Sequence, residues 1–119
     1  MTQPIVIGCP VAHRDWIITH WADHAIAAAE HAGREPWFVV AAHPDDPTPT
    51  RLIEHVWPQY AVTLAPTDVE RTEDRRTWEP ERYDQMVDAR NALLGAVRHL
   101  QPAHFVSVDS DVLLHPTAI

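Results

Sequence analysis

The chain has no lysine: all nine of its basic residues are arginine, set against seventeen aspartates and glutamates, for a net charge of −8 with histidine neutral. Such a balance repels phosphodiester backbones and anionic lipid surfaces unless arginines gather locally, and no gathering is visible. Binding to a nucleic-acid backbone is therefore not expected. Cysteine is almost absent too. The one cysteine, Cys9, cannot form an internal disulfide, so the chain is no disulfide scaffold. No apolar run approaches the length of a membrane span. The start, MTQPIVIGCPV, lacks the charged region and cleavage pattern of a secretion signal. The expectation is a cytoplasmic protein with no membrane span.

What remains is a core and an alternation. At 119 residues and 45% hydrophobic content the chain suits one globular domain, 1–119. Residues 4 to 9, PIVIGC, are apolar and β-branched and are closed by Pro10, as in a buried parallel strand. From Trp16 to Ala32, apolar Ile18, Trp21, Ala25, Ala28 and Ala32 recur at steps of three and four, and Gly33 supplies a left-handed stop. This spacing predicts a helix. WFVVAA, 37 to 42, reads as a second strand, and HPDDPTPT as a turn-rich loop in which Pro49 fits a first helical position. A short helix, TRLIEHVW, and a third strand, YAVTLA (60 to 65), come next. After the polar stretch 66 to 79, Pro80 opens a helix to about Leu100, with Glu81 and Asp84 near its start and Arg98 and His99 near its end. HFVSVD, 104 to 109, closes the pattern as strand four. Strands alternating with helices predict an α/β layered fold: a mostly parallel sheet of about four strands, flanking helices, and ligands bound beyond the carboxyl ends of the strands.

The run FVSVDSDVLL places Asp109 and Asp111 at that end of strand four. On an extended chain, residues two apart point to the same side, so both carboxylates face one ligand and Ser110 faces away. Close like charges raise each other's pKa unless a cation intervenes, and hard oxygen donors suit Mg²⁺ or Mn²⁺. A divalent ion carrying a diphosphate fits. On the motif alone, a strand cap and a turn cap explain the two residues as well.

The helix before strand four holds a second signal. Met86, Arg90, Leu93, Val97 and Leu100 step by four, three, four and three, which puts Arg90 on the stripe expected to face the sheet. A buried guanidinium needs a counter-charge, and the nearest expected ones are an aspartate or a bound phosphate at the sheet mouth. Both readings stay open. Asn91 beside it reads equally as a solvated helix residue.

In their order along the chain, CPVAHR (9 to 14), HPDD (43 to 46), ARN (89 to 91) and DSD (109 to 111) resemble the nucleotide-sugar glycosyltransferases of the GT-A fold, particularly family-2-like bacterial and phage enzymes. The resemblance implies a Rossmann-like nucleotide-binding half and metal-dependent transfer of a sugar from a nucleotide-diphosphate sugar to an acceptor. It assigns Asp111 to an Mn²⁺ or Mg²⁺ ion and Asp109 to the ribose, or to the metal through water. Asp45 or Asp46 would accept the imide hydrogen of a pyrimidine, ordinary turn formation explaining both aspartates as well. Arg90 would lie near the nucleotide, Pro10 and Val11 against base or ribose, and Arg14 within reach of a phosphate. The family normally continues well beyond this motif, so these residues are expected to be the donor-binding half, truncated after it, inactive in transfer alone or completed by a homo-oligomer. His13 and His115 read as loop residues, and Cys9 as packing at the strand end.

Two alternatives stand beside this reading. His20, His24 and His31 share a helix face and are chemically suited to zinc, which would make the chain a non-catalytic metal- or nucleotide-binding module. His31 lies two turns from His24, so one ion does not reach all three without bending. A sugar nucleotidyltransferase would use the same fold, but it carries a glycine- and base-rich loop after strand one, and CPVAHR has no glycine.

Overall fold

The computed structural model describes residues 4–67 and 80–119; most of the polar stretch 66–79 and the side chain of Glu81 lie outside the described residues. Among the described residues, four strands form one all-parallel sheet: β1 (Pro4–Pro10), β2 (Glu35–Ala42), β3 (Val62–Pro66) and β4 (Phe105–Ser107). Their order across the sheet is β3-β2-β1-β4. Three helices alternate with them: α1 (Ile18–His31), α2 (Thr48–Val56) and α3 (Pro80–Leu100). The α/β fold is as expected, and its arrangement is consistent with a Rossmann-like one.

The central strands β1 and β2 are continuous apolar runs because both of their faces are covered. Ile5, Ile7 and Cys9 of β1 share one core with Trp21 and Ala25 of α1 and Leu52 of α2. Val6 points the other way, into a second core with Leu93 and Val97 of α3. Period-two alternation within β1 thus decides which helix layer each side chain meets. In the first core, the Trp21 and Phe38 rings pack tilted, 5.5 Å between centroids.

Gly33 stops α1 as expected. Its φ of 71° is left-handed, its N–H donates to the Glu30 carbonyl at 2.9 Å, and the Arg34 N–H reaches back to the Ala29 carbonyl at 2.9 Å. Those two bonds are a Schellman cap. Helix α2 starts at Thr48, two residues before its expected start, with Pro49 inside the first turn.

Helix α3 corrects one expectation. Its buried line runs through Ala89, Leu93 and Val97, whereas Arg90 is exposed and Met86 is 42% exposed. The rotation follows from small side chains. Ala92 and Ala96 flank Leu93 and Val97 in this core, and β1 presents Gly8 beneath them. A Cβ at Gly8 would lie 2.7 Å from the Val39 carbonyl oxygen and 3.0 Å from Leu93 Cδ1. The helix settles on its alanine-lined side, close to the sheet, and carries Arg90 to the edge of the contact.

The sheet order fixes where a ligand can sit. The chain steps from β1 to β2 to β3 in one direction, then returns to place β4 on the other side of β1. Outward connections diverge there, and sheets of this kind bind ligands at such a point, here the carboxyl ends of β1 and β4. Among the described residues, no helix is long and apolar enough to cross a membrane.

Candidate functional site

The segments that follow β1, β2 and β4 lie at this edge of the sheet. After β4, the Val108 N–H continues the pairing by donating to the Gly8 carbonyl at 3.0 Å. The chain then turns, closed by the Val112 N–H on the Asp109 carbonyl at 3.0 Å. D-S-D is therefore a turn and not the extended segment expected from the sequence. Asp109 and Asp111 are both exposed while Ser110 is buried, so the turn still separates the carboxylates from the serine.

Arg90 reaches this turn from α3. Its Nη2 lies 3.6 Å from Asp109 Oδ1, with the two side chains 45% and 59% exposed. The pair is open to solvent and not sealed in a core, so a ligand oxygen could share the guanidinium. Asp111 makes no ion pair or side-chain hydrogen bond with the described residues. Beneath the turn, Cys9 is fully buried. Burial, reinforced by the Asp109 charge and opposed by Arg90, pushes its thiol far above the ordinary range. It is a neutral packing residue and no nucleophile.

The donor set was set against Mg²⁺ or Mn²⁺. No three histidine, cysteine, aspartate or glutamate side chains converge to hold a metal among the described residues. A closed protein cage is not what such ions require: magnesium is commonly held by one or two carboxylates, with phosphate oxygens and water completing the octahedron. Two exposed carboxylates in one turn fit a cation that arrives with a diphosphate. Among the histidines of α1, His24 Nδ1 lies 3.2 Å from the Leu114 carbonyl, and Asp23 of the same helix meets His55 of α2 at 2.7 Å.

At the end of β2 the two adjacent aspartates have opposite surroundings. The Asp45 side chain is 90% exposed, with His43 Nδ1 3.8 Å from its carboxylate. Asp46 is only 7% exposed. Its Oδ2 accepts the His13 N–H at 2.8 Å, and its Oδ1 accepts the Thr48 N–H at 2.9 Å and the Thr48 hydroxyl at 2.6 Å. Burial alone would raise its pKa, but the bonds from Thr48 and His13 outweigh that and hold the carboxyl below the usual carboxylate range. Thr48 Oγ1 accepts in turn from the Arg14 N–H at 2.9 Å.

These contacts define the loop after β1. Pro10 is half-buried, and Val11 belongs to the core beneath α1 and α2, an anchoring place and not the ligand-facing one expected of it. The Val11 N–H donates to the Ala41 carbonyl at 2.8 Å. With the His13 and Arg14 amides taken by Asp46 and Thr48, three amides of this loop are spent inside the protein. They cannot cradle a phosphate as the amides of a glycine-rich loop do. His13 adopts φ of 52°, left-handed for a residue with a side chain. Sequence reasoning missed Thr48; its signal was the D-x-T spacing of Asp46 and Thr48 at a helix start, where such side chains bond nearby amides.

Compared with known protein families, with curated proteins and with solved structures, the chain matches none.

Proposed function

We propose that this chain binds the donor of a metal-dependent glycosyltransferase: a nucleotide-diphosphate sugar held with Mn²⁺ or Mg²⁺ at the carboxyl ends of β1 and β4. The observation that carries the reading is the exposed D-S-D turn at the point where the strand order reverses, with Asp111 left without a partner among the described residues. In a chain of net charge −8, an unpaired Asp111 beside Asp109, itself held only loosely by Arg90, favours a divalent ion between or near them. When bound, that ion neutralises charge on the departing diphosphate. Asp111 holds it. Asp109, steadied by Arg90, meets the ribose or a metal-bound water, and Arg14 supplies a cation for a phosphate. Asp45, whose carboxylate faces solvent, is the candidate for a pyrimidine imide. The spent amides after β1 support this reading over a sugar nucleotidyltransferase, since phosphate recognition then falls to side chains and metal.

A thermal melt tests it. UDP or GDP at ~100 times its Kd stabilises a protein by ~2.7 kcal/mol when only the folded state binds. The expected result is a rise in Tm with nucleotide plus Mn²⁺, absent without the metal and absent in Asp111→Asn. No rise with either nucleotide at millimolar concentration sinks the proposal.

A further inference from the structure

We infer that Asp46 and Thr48 are positioning residues, clamping the loop between β1 and α1 so that Arg14 is presented to the donor in one orientation; this rests on the donor-site reading above. The loop's own bonds do not fix its middle. Val11 is tied to β2 through the Ala41 carbonyl, and the Ile17 and Ile18 amides close a turn on the Arg14 carbonyl. Between these anchors lies His13, in a left-handed conformation that a residue with a Cβ does not choose unaided.

The clamp acts at that point. Asp46 Oδ2 takes the His13 amide at 2.8 Å, a bond strengthened by the charge on its acceptor. Asp46 Oδ1 takes the Thr48 hydroxyl hydrogen at 2.6 Å, which turns the Thr48 lone pairs toward the Arg14 amide at 2.9 Å. Two consecutive amides, thirty-three and thirty-four residues from their acceptors, are thereby held by the start of one helix. The backbone from which the Arg14 side chain departs is thereby fixed at its own N–H and at the residue before it. Asp46 does not itself touch the donor. It is buried, and both of its oxygens already accept from the chain's own donors.

The two acceptors can be removed separately. In Asp46→Asn, the amide oxygen still serves Thr48 but an NH₂ group faces the His13 N–H, donor against donor. Thr48→Val deletes the acceptor for Arg14, and Thr48→Ser restores it. Amide hydrogen exchange of the 119-residue chain, read by NMR without ligand, should quicken roughly tenfold at His13 in Asp46→Asn and at Arg14 in Thr48→Val, as loss of one such bond implies. UDP affinity in the presence of Mn²⁺ should fall roughly tenfold in both variants and return in Thr48→Ser. Should Asp46→Asn fail to fold, the two Thr48 variants decide. Wild-type binding that Thr48→Val leaves intact overturns the clamp alone, as does unchanged exchange at Arg14. Absence of binding of both UDP and GDP by the wild-type chain overturns the donor-site reading together with the clamp's role in it.

Discussion

Aspartates stand close together at the carboxyl ends of two strands, and the two places treat them in opposite ways. At the end of β2, Asp46 is buried and accepts from two amides and a hydroxyl. At the end of β4, Asp109 has one loose contact with Arg90, and Asp111 makes none with the described residues. The residue type is the same; the local supply of donors differs. A helix begins two residues after Asp46, and the first amides of a helix have no partner within it, so they turn to the nearest carboxylate. A turn follows Asp109, and its closing amide is taken by a backbone carbonyl. A carboxylate filled by its own chain stabilises the fold, whereas one left bare at a sheet mouth is free for a ligand.

The sharpest way to break this comparison is to truncate one aspartate from each place. Asp46→Ala strands the His13 amide and both Thr48 donors, and should cost ~3 kcal/mol in urea denaturation. Asp111→Ala should change stability by no more than ~0.5 kcal/mol. Equal losses would dissolve the distinction. Acid should expose the same asymmetry. Because the folded-state pKa of Asp46 is depressed, its contribution is present above the ordinary carboxylate value of ~3.9 and is lost as pH falls through the lower folded value. Tm measured from pH 6 downward should therefore drop more steeply below pH ~4 in the wild type than in Asp46→Asn. Parallel curves would show that the carboxylate is not held as described. The smallest effect belongs to Arg90. Its pair with Asp109 is half-exposed, so Arg90→Met should cost no more than ~1 kcal/mol, and less in high salt. A loss near ~3 kcal/mol would mark the pair as a buried structural tie and set it beside Asp46.

Much of the architecture was legible because it is written in local periods. The strands fell within a few residues of their expected places, Gly33 stopped α1, and α3 opened at Pro80 as read. The place of D-S-D followed from the same periods, since a strand's apolar run ends where its polar mouth begins. Arg90 was misplaced for a physical reason. The stripe placed Leu93 and Val97 correctly but was drawn on through the larger Met86 and Arg90, whereas α3 turns Ala89 to the sheet there, flanked further on by Ala92 and Ala96, whose smallness lets it approach. The difference between Asp45 and Asp46 was legible only in part. Both are turn-formers in one loop, and the D-x-T spacing marks the bonds of Asp46 with Thr48, but the bond to His13 spans thirty-three residues. No local pattern carries information about a partner at that distance.

Gly8 carries a consequence of a different kind. Leu93 of α3 bears down where a Cβ would be, 3.0 Å away, and Arg90 stands on the same helix one turn earlier. A methyl at Gly8 would press first on the Val39 carbonyl oxygen of β2, 2.7 Å away, and next on Leu93. The fit of β1 against its neighbouring strand and the seat of α3 above it are thus gauged together, by a single hydrogen atom in the middle of β1.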